Sequence, residues 1–510
     1  MTTGQYRQWL DGYPSLRDAA GAHQDRSAGE LTVPEAHRPW LDRRGITAAY
    51  GAFAAYAAVA AFTTAGQDRV WALWALPGYA AAFVLLLRGR GWTPALTVSV
   101  VLSLVVPLIS LCATWPLTAG MVVIGRSAEL LLHSGLPYLP QGQLSSWLSY
   151  DPYLPAMALF GMPRAAGLSG LAGHPGVWMA VATVAVLALA AWYIVPDRPA
   201  RCPRCRRDVL LLVAFAAASP VIALNLAVIT TDPPVLALML LSFALAAGPS
   251  RAVGAGLALG LACALKVTAW PEIPVLAAMF WSRDGARTAG RFVASSAVAA
   301  AALIAATAPA VFTRPSAIVQ NAVLFPLGLT RHKTPAQSPL PGHLLASAGP
   351  AGHLLAVTLL LAAAVGIVVS LVVRPPRTVD AATFRLAVGL AVMFTLGPDD
   401  RFGYFVYPLG LLGWLALTRG TALAPAASRL VAGGWAGLAA GGSRALGRGA
   451  RGQDPPAAAA GEARQDDAAR ARRPSRPSGP GPLVPAPRPQ PADLRPAMRR
   501  RATRGSRAGR

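Results

Sequence analysis

The sequence predicts an all-α polytopic membrane protein, and its composition and the distribution of its apolar residues lead to that class. Apolar residues make up 54% of the 510 residues and charged residues only 13%, whereas a soluble domain carries roughly 25% charged residues. The apolar residues fall into long unbroken runs rich in Ala, Leu and Val, and about 20 apolar residues suffice to cross the hydrocarbon layer as a helix. A transmembrane barrel would instead show short alternating segments.

We interpret twelve apolar runs as membrane-spanning helices. The runs on either side of Trp270 and Pro271 are short, which favours a broken or re-entrant helix there. The chain then divides into a cytoplasmic N-terminal extension (1–45), a transmembrane domain (46–420) and a basic cytoplasmic tail (421–510). The predicted spans are 46–65, 70–87, 95–115, 176–195, 209–230, 234–248, 252–270, 271–281, 290–312, 352–373, 382–397 and 403–418.

The net charge of +24 would suit a nucleic-acid partner, but the positions of the basic residues argue against one. Arginines lie in short loops between apolar runs and in the tail, and every second loop is rich in them. This pattern is typical of loops retained in the cytoplasm beside an anionic leaflet. We therefore expect a multi-pass plasma-membrane protein with both termini inside. The loop arginines are Arg88, Arg90, Arg198, Arg201, Arg204, Arg206, Arg207, Arg283, Arg287, Arg291, Arg374, Arg377 and Arg385.

The ends of the chain and its cysteines suggest no catalytic function. The first 45 residues are polar and mixed in charge, so we expect a cytoplasmic extension rather than a signal peptide. The low-complexity tail is expected to be disordered. Cys112 and Cys263 lie inside apolar runs and are interpreted as packing residues. Cys202 and Cys205 have metal-ligand spacing, but no second pair or nearby His completes a zinc site, which favours two free thiols.

Two long connections, 116–175 and 313–351, fall on the non-cytoplasmic face. Connections of this length usually carry function. Within the first, Ser127 to His133 predicts a short amphipathic helix and Leu154 to Phe160 an apolar turn. Such segments tend to lie in the plane of the membrane interface.

Ionisable side chains on this face are functional candidates, because charges at membrane depth are costly. Most belong to different spans but share one side of the membrane, which predicts a cavity that opens at the outer leaflet. They are Glu129, Asp151, Asp232, Lys266, Glu272, Arg331, His332, Lys333, His343, Asp399, Asp400 and Arg401.

Three of these residues have two interpretations each. Asp232 precedes a proline-initiated span, so its carboxylate either caps that helix or serves function. Lys266 either extends its amine to the interface or binds a phosphate as a point charge. Asp151 lies among prolines and tyrosines and either acts as a general base or forms a local Asx-type turn. In the same span as Lys266, Gly256 and Gly260 allow close helix packing.

Three groups of motifs, in this order, resemble glycosyltransferase family 87, whose members are polytopic GT-C enzymes common in actinobacteria. The first outer connection supplies Ala128 to Tyr138, Tyr150 to Met157 and Phe160 to Pro163; the core supplies Thr231 to Pro233 and Gly256 to Lys266; the last outer loop supplies Asp400 to Pro408. The resemblance covers roughly residues 95–418 and implies a GT-C-like bundle with a long first outer loop.

This resemblance implies inverting transfer of a hexose, typically mannose, from a polyprenyl-phosphate donor to a lipid or glycan acceptor of the outer leaflet or cell envelope. It implies a catalytic base at Asp151 or Glu129, with Lys266 and Arg401 near the donor phosphate and Asp232 orienting the sugar or the base. No cofactor is required, although a divalent metal ion is compatible with it. The remaining residues expected to bind substrate are Asp400, His332 and Tyr153.

One departure from the family keeps two other functions open. Relatives often place an acidic residue shortly before the Ala128 motif, where this chain has Gly120 and Gly125. A catalytically inactive membrane scaffold is therefore one alternative. A multi-span transporter or lipid flippase is the other, although we find no internal repeat of the kind that transporters often show.

Overall fold

The computed structural model describes residues 43–194, 203–336 and 338–419, and within these ranges it consists of helices and connecting loops without a strand. The predictions for residues 1–42, for the Cys202 and Cys205 thiols and for the tail from residue 420 lie outside the described positions. The helices are α1 (Arg43–Thr63), α2 (Gly66–Leu87), α3 (Trp92–Thr114), α4 (Ala119–Ser134), α5 (Pro175–Ile194), α6 (Pro203–Ala218), α7 (Pro220–Ala227), α8 (Pro233–Ala246), α9 (Ala252–Leu265), α10 (Glu272–Asp284), α11 (Ala286–Thr307), α12 (Pro341–Ser347), α13 (Pro350–Val373), α14 (Val379–Leu396) and α15 (Val406–Arg419).

Seven of these helices are long and apolar enough to cross a membrane, namely α1, α2, α3, α5, α11, α13 and α14. Each coincides within a few residues with a span predicted from the sequence. The α6–α7 pair would count as an eighth span, although it bends by 63°. The prediction of a membrane protein is therefore supported.

The count of about twelve spans is not confirmed. Helices α8 and α9 have 14 residues each, so each is about 21 Å long, whereas the hydrocarbon layer is about 30 Å thick. The last apolar helix runs only from Phe402 to Thr418. Helix α10 has 13 residues and carries charge at both ends. Apolar runs in the sequence therefore overstate the number of full-length spans.

The predicted interruption near Trp270 is present. Helix α9 ends at Leu265, Lys266 has extended backbone angles, and a 3-10 turn from Val267 to Ala269 precedes α10. The break frees backbone groups and allows the Lys266 side chain to leave the helix surface.

Prolines explain two irregularities in the bundle. Pro107 has no N–H for the Ser103 carbonyl, the helix adopts π geometry over Val101–Val105, and the Trp71 indole N–H donates to Ser103 O at 2.8 Å. Likewise Pro220 starts α7 after the bend, and the Tyr79 hydroxyl donates to the Ala218 carbonyl at 2.6 Å. Buried side chains thus satisfy backbone carbonyls at both irregularities.

Helix α8 is the central helix of the core, since nearly all of its residues are buried. It packs against α5 and α9, and α9 in turn packs closely against α11. Gly256 and Gly260 make that approach possible, because a Cβ on either would lie within 2.6 Å of α11 atoms. The predicted close packing at these glycines is confirmed.

Candidate functional site

The first long connection, residues 116–175, is more ordered than its sequence suggests. The predicted short helix from Ser127 is part of α4, which has 16 residues and ends at Gly135, where φ is +67° and glycine is favoured. The predicted apolar turn is a 3-10 helix from Pro155 to Gly161 that packs against α4. Between them lies the segment that carries Asp151.

Asp151 is buried, with 4% of its surface exposed. The Ser127 hydroxyl donates to its Oδ2 at 2.6 Å, and the Tyr153 N–H donates to its Oδ1 at 2.9 Å. The second contact forms the Asx-type turn, which is one of the two interpretations of Asp151 that the sequence allows. Burial raises the pKa of Asp151 to about 7, although these two hydrogen bonds and the charge of Arg126 oppose the rise.

Two further residues hold the Asp151 backbone in place. The Arg126 guanidinium donates to the Ser149 carbonyl at 3.2 Å and also to the Leu148 carbonyl. The Asp151 N–H donates to Oδ1 of Asn321 at 2.9 Å. Asn321 belongs to the second long connection, residues 313–351, so the two long connections meet at Asp151.

Tyr153 joins this segment to the core. Its carbonyl accepts a hydrogen bond from the Tyr138 hydroxyl at 2.9 Å, and the next N–H, of Leu154, donates to the Leu265 carbonyl at 3.0 Å. Leu265 is the last residue of α9. The Tyr153 ring centroid consequently lies 5.8 Å from the Lys266 amine, a cation–π distance.

Lys266 and Asp232 form a buried ion pair in which the Lys266 amine contacts Asp232 Oδ1. The Tyr407 hydroxyl donates to the same oxygen at 2.8 Å and accepts from the Thr268 hydroxyl at 2.9 Å. Asp232 occupies the N-cap position of α8, but its side chain caps no helix N–H. Lys266 is 6% exposed, so it faces the protein interior rather than the interface.

Arg401 and Asp400 lie at the edge of this pair. The Lys266 amine is 4.9 Å and the Arg401 guanidinium 5.4 Å from the Tyr404 ring centroid. Arg401 is exposed and Asp400 is half-buried. Burial and then the neighbouring Asp399 raise the pKa of Asp400 to about 7, while Lys266 and Arg401 oppose the rise. The structure thus brings Asp232, Lys266, Tyr153, Asp400 and Arg401 together.

The other predicted residues lie around this group or away from it. His332 is half-buried beside Tyr150, with ring centroids 6.4 Å apart, and so lies next to the Asp151 segment. Glu129 is exposed, and it is two positions from Ser127 on α4, or about 200° around the helix. Glu272 is fully buried beside Ser242. Neither glutamate joins the group.

Gly120, one of the two glycines at which the family resemblance leads us to expect an acid, adjoins the site. A Cβ on Gly120 would lie 3.0 Å from the Tyr153 hydroxyl and 3.3 Å from Cγ2 of Thr231, whereas one on Gly125 would meet only Arg164 at 3.8 Å. Thr231 directly precedes Asp232. An acidic side chain at residue 120 would therefore point towards the ion pair.

Sequence reasoning did not single out several residues that build this site. Tyr404 and Tyr407 lie inside the quoted Asp400 to Pro408 motif, and their spacing of three places both on one helical face, so a signal was present. Ser127 and Arg126 are one position apart on an amphipathic helix. Asn321 carries no signal, because it is 170 residues away from its partner.

No group of three or more His, Cys, Asp or Glu side chains is placed to hold a metal ion among the described residues. The candidate site in the described part of the chain is built from three carboxylates, a lysine, an arginine and tyrosines. Such a set can accept a proton and can stabilise an anionic leaving group.

Comparison with known proteins agrees with the resemblance. Residues 152–398 match the family model described as Glycosyltransferase family 87. The match begins directly after Asp151, includes Asp232 and Lys266, and ends before Asp400. No curated protein and no solved structure matches. Over these residues, just under half of the chain, the protein is similar to glycosyltransferase family 87, and the likeness implies a membrane glycosyltransferase with a sugar donor and an acceptor.

Proposed function

We propose that this protein transfers a hexose, with mannose expected, from a polyprenyl-phosphate donor to a lipid or glycan acceptor on the non-cytoplasmic face. The family match supports the reaction class. The observation that carries the proposal is the hydrogen bond from the Leu154 N–H to the Leu265 carbonyl. It joins the segment with Asp151 and Tyr153 to the end of α9, directly before Lys266, which supports a site that combines a proton acceptor with an anion-stabilising group.

In the proposed reaction the Asp151 carboxylate takes the proton of an acceptor hydroxyl. The acceptor oxygen forms a bond to the anomeric carbon while the bond between that carbon and the phosphate oxygen breaks. Polyprenyl phosphate leaves with the electron pair, and the configuration at the anomeric carbon is inverted. The raised pKa of Asp151, about 7, suits a general base at neutral pH.

Arg401 is the residue that we expect to meet the donor phosphate first, because it is exposed at the edge of the site. An arginine can bind phosphate through two parallel hydrogen bonds. Lys266 is already paired with Asp232, so we assign it to the deeper part of the site. There it adds positive charge on the interior side of the phosphate and positions Tyr153 and Tyr404.

The test uses purified full-length protein in lipid nanodiscs with labelled polyprenyl-phosphate mannose and a lipid extract as acceptor. We expect transfer by the native protein and a loss of about 10²-fold or more in Asp151→Asn, because general-base catalysis contributes roughly that factor. Asp284→Asn is the matched control, since Asp284 is exposed and paired with Arg283 at the end of α10.

Glu129→Gln separates the two candidate bases. If this variant loses transfer while Asp151→Asn retains it, the base is Glu129 and the assignment to Asp151 is wrong. An absence of transfer with every polyprenyl-linked sugar would overturn the proposed function. In that case the transporter and the inactive scaffold become the leading hypotheses.

A further inference from the structure

A cavity of about 350 Å³ lies between α13 and α14, away from the candidate site. Its walls are almost entirely apolar, and Gly366 borders open space, because a Cβ there would meet no atom within 4 Å. One charged side chain, Arg385, lies in the same wall beside Ser370. We call this cavity the α13–α14 groove.

The groove lies on the membrane-facing side of the bundle. Of the seven long apolar helices, α13 is the least buried inside the protein. A surface of this kind is covered by lipid chains in a bilayer. An arginine near the end of such a wall extends its guanidinium to the headgroup region, where an anionic group can compensate its charge.

The Arg385 guanidinium has N–H donors that make no hydrogen bond to the described residues. Within the described residues its guanidinium makes one hydrogen bond, from Nη1 to the Ser370 carbonyl at 3.2 Å. A guanidinium carries five N–H donors in a planar fork that matches phosphate oxygens. The groove therefore combines an apolar channel with an incompletely satisfied cation, which is complementary to an amphiphile with an anionic head.

The depth of Arg385 fits a phospholipid phosphate. Helix α13 has 24 residues, or about 36 Å, and so exceeds a hydrocarbon layer of about 30 Å. Ser370 lies about 4.5 Å before the end of α13, near the boundary between hydrocarbon and headgroups. Arg374 and Arg377 are exposed in the turn that follows. These arginines add positive charge at this end, where Asp380 has an interaction of its own.

We propose that the α13–α14 groove binds one anionic diacyl phospholipid, with an acyl chain in the cavity and the phosphate on Arg385. Helices α13 and α14 run in opposite directions, and the turn that joins them is at the far end from Asp400 and Arg401. The lipid therefore sits in the leaflet opposite to the candidate site. It is distinct from any glycosyl donor, and basic pockets between transmembrane helices are known to hold anionic headgroups.

The test is lipid retention by the delipidated full-length protein, measured by native mass spectrometry with phosphatidylglycerol and with phosphatidylcholine as probes. We expect one tightly retained phosphatidylglycerol and at least tenfold weaker retention of phosphatidylcholine. Arg385→Gln should reduce the retention of phosphatidylglycerol at least tenfold, since a hydrogen-bonded charge is lost. Glycerophosphoglycerol, which has the headgroup without acyl chains, should not compete.

A second variant fills the groove without removing charge. A Cβ on Gly366 meets no atom within 4 Å, so Gly366→Leu should fold and occupy the acyl-chain space, and we expect it to lose the lipid. Ala364→Leu is the matched control, because Ala364 is exposed on the same helix and does not line the groove. Equal retention of both lipids, retention unaffected by Arg385→Gln and Gly366→Leu, or self-association through this face would overturn the proposal.

Discussion

Asp151 shows how a carboxylate can be both structural and reactive. Its two oxygens already accept from Ser127 and from the Tyr153 N–H, but a carboxylate has about four acceptor positions. Burial dominates these contacts and raises its pKa to about 7. The Asx-type turn therefore fixes the orientation of the group without preventing proton transfer near neutral pH.

The raised pKa predicts the pH dependence of transfer. Below about pH 7 Asp151 is protonated and cannot accept a proton, so kcat/KM should rise with pH and level off above an apparent pKa of about 7. The measurement is a pH–rate profile from pH 5 to 9. Asp400 also has a pKa of about 7, so Asp400→Asn is the comparison. An acidic limb that disappears in Asp400→Asn would assign the titration to Asp400 instead.

The Asp232–Lys266 ion pair predicts a second result at this scale. Removing one partner of a buried pair leaves an uncompensated charge, which typically costs about 3–5 kcal/mol. We expect Lys266→Met and Asp232→Asn each to lower the free energy of unfolding by about that amount, and the double variant by less than the sum. Unfolding in SDS, monitored by tryptophan fluorescence, measures these changes in the free energy of unfolding. The exposed Arg283–Asp284 pair is the control, and Asp284→Asn should cost less than about 1 kcal/mol.

At the scale of elements, the contact between α9 and α11 fixes the position of the site. Helix α9 ends at Leu265, directly before Lys266, so any shift of α9 moves the lysine and the carbonyl that holds Leu154. Glycines on α9 make this contact possible. The geometry of the site therefore depends on helix packing about two turns away.

This packing predicts a difference between two glycines of the same helix. A Cβ on Gly260 would lie 2.4 Å from the Ser296 carbonyl oxygen and 2.6 Å from Cβ of Ala299, so Gly260→Ala should destabilise the protein by about 1–3 kcal/mol through overpacking. Gly254 has no atom nearer than Leu245 Cδ1 at 3.8 Å. Gly254→Ala should be neutral or stabilising by up to about 1 kcal/mol. Thermal unfolding of both variants in detergent tests this, and equal effects would contradict it.

At the scale of the whole molecule, the two long connections, residues 116–175 and 313–351, pack on each other. Tyr150 stacks on Phe325 with ring centroids 4.5 Å apart and planes 3° apart, beside the contact of Asn321 with Asp151. A small apolar cluster joins Leu131 of α4 to Ala308 and Val311 after the end of α11. Both connections thus lie at the end of α11 that is remote from Ala286.

The orientation of the bundle leads to the fourth prediction. Because α4 lies near the end of α11, we expect the exposed residues Glu129 and Arg287 to fall on opposite membrane faces. In a background with all cysteines replaced by serine, Glu129→Cys should react with a membrane-impermeant maleimide on intact cells. Arg287→Cys should react only after permeabilisation. The reverse pattern would invert the topology that the arginines predict.

Much of the fold could be predicted because its signals are local. Seven predicted spans coincide with long apolar helices, and Gly256 and Gly260 mark a close helix contact that is present. The number of spans could not be predicted in the same way. An apolar run looks alike whether its helix crosses the bilayer or, as in α8, is a short helix buried among others.

The sequence by itself determined the membrane class and an interruption near Trp270, and with the family resemblance it singled out Asp151, Asp232, Lys266 and Arg401 as candidates, because composition, proline positions and rare charges are visible along the chain. Only the tertiary structure decided their partners. Asp232 meets Lys266 34 residues later and Tyr407 175 residues later. Such pairings depend on how helices pack and not on any local pattern, so they appear only once the bundle has folded.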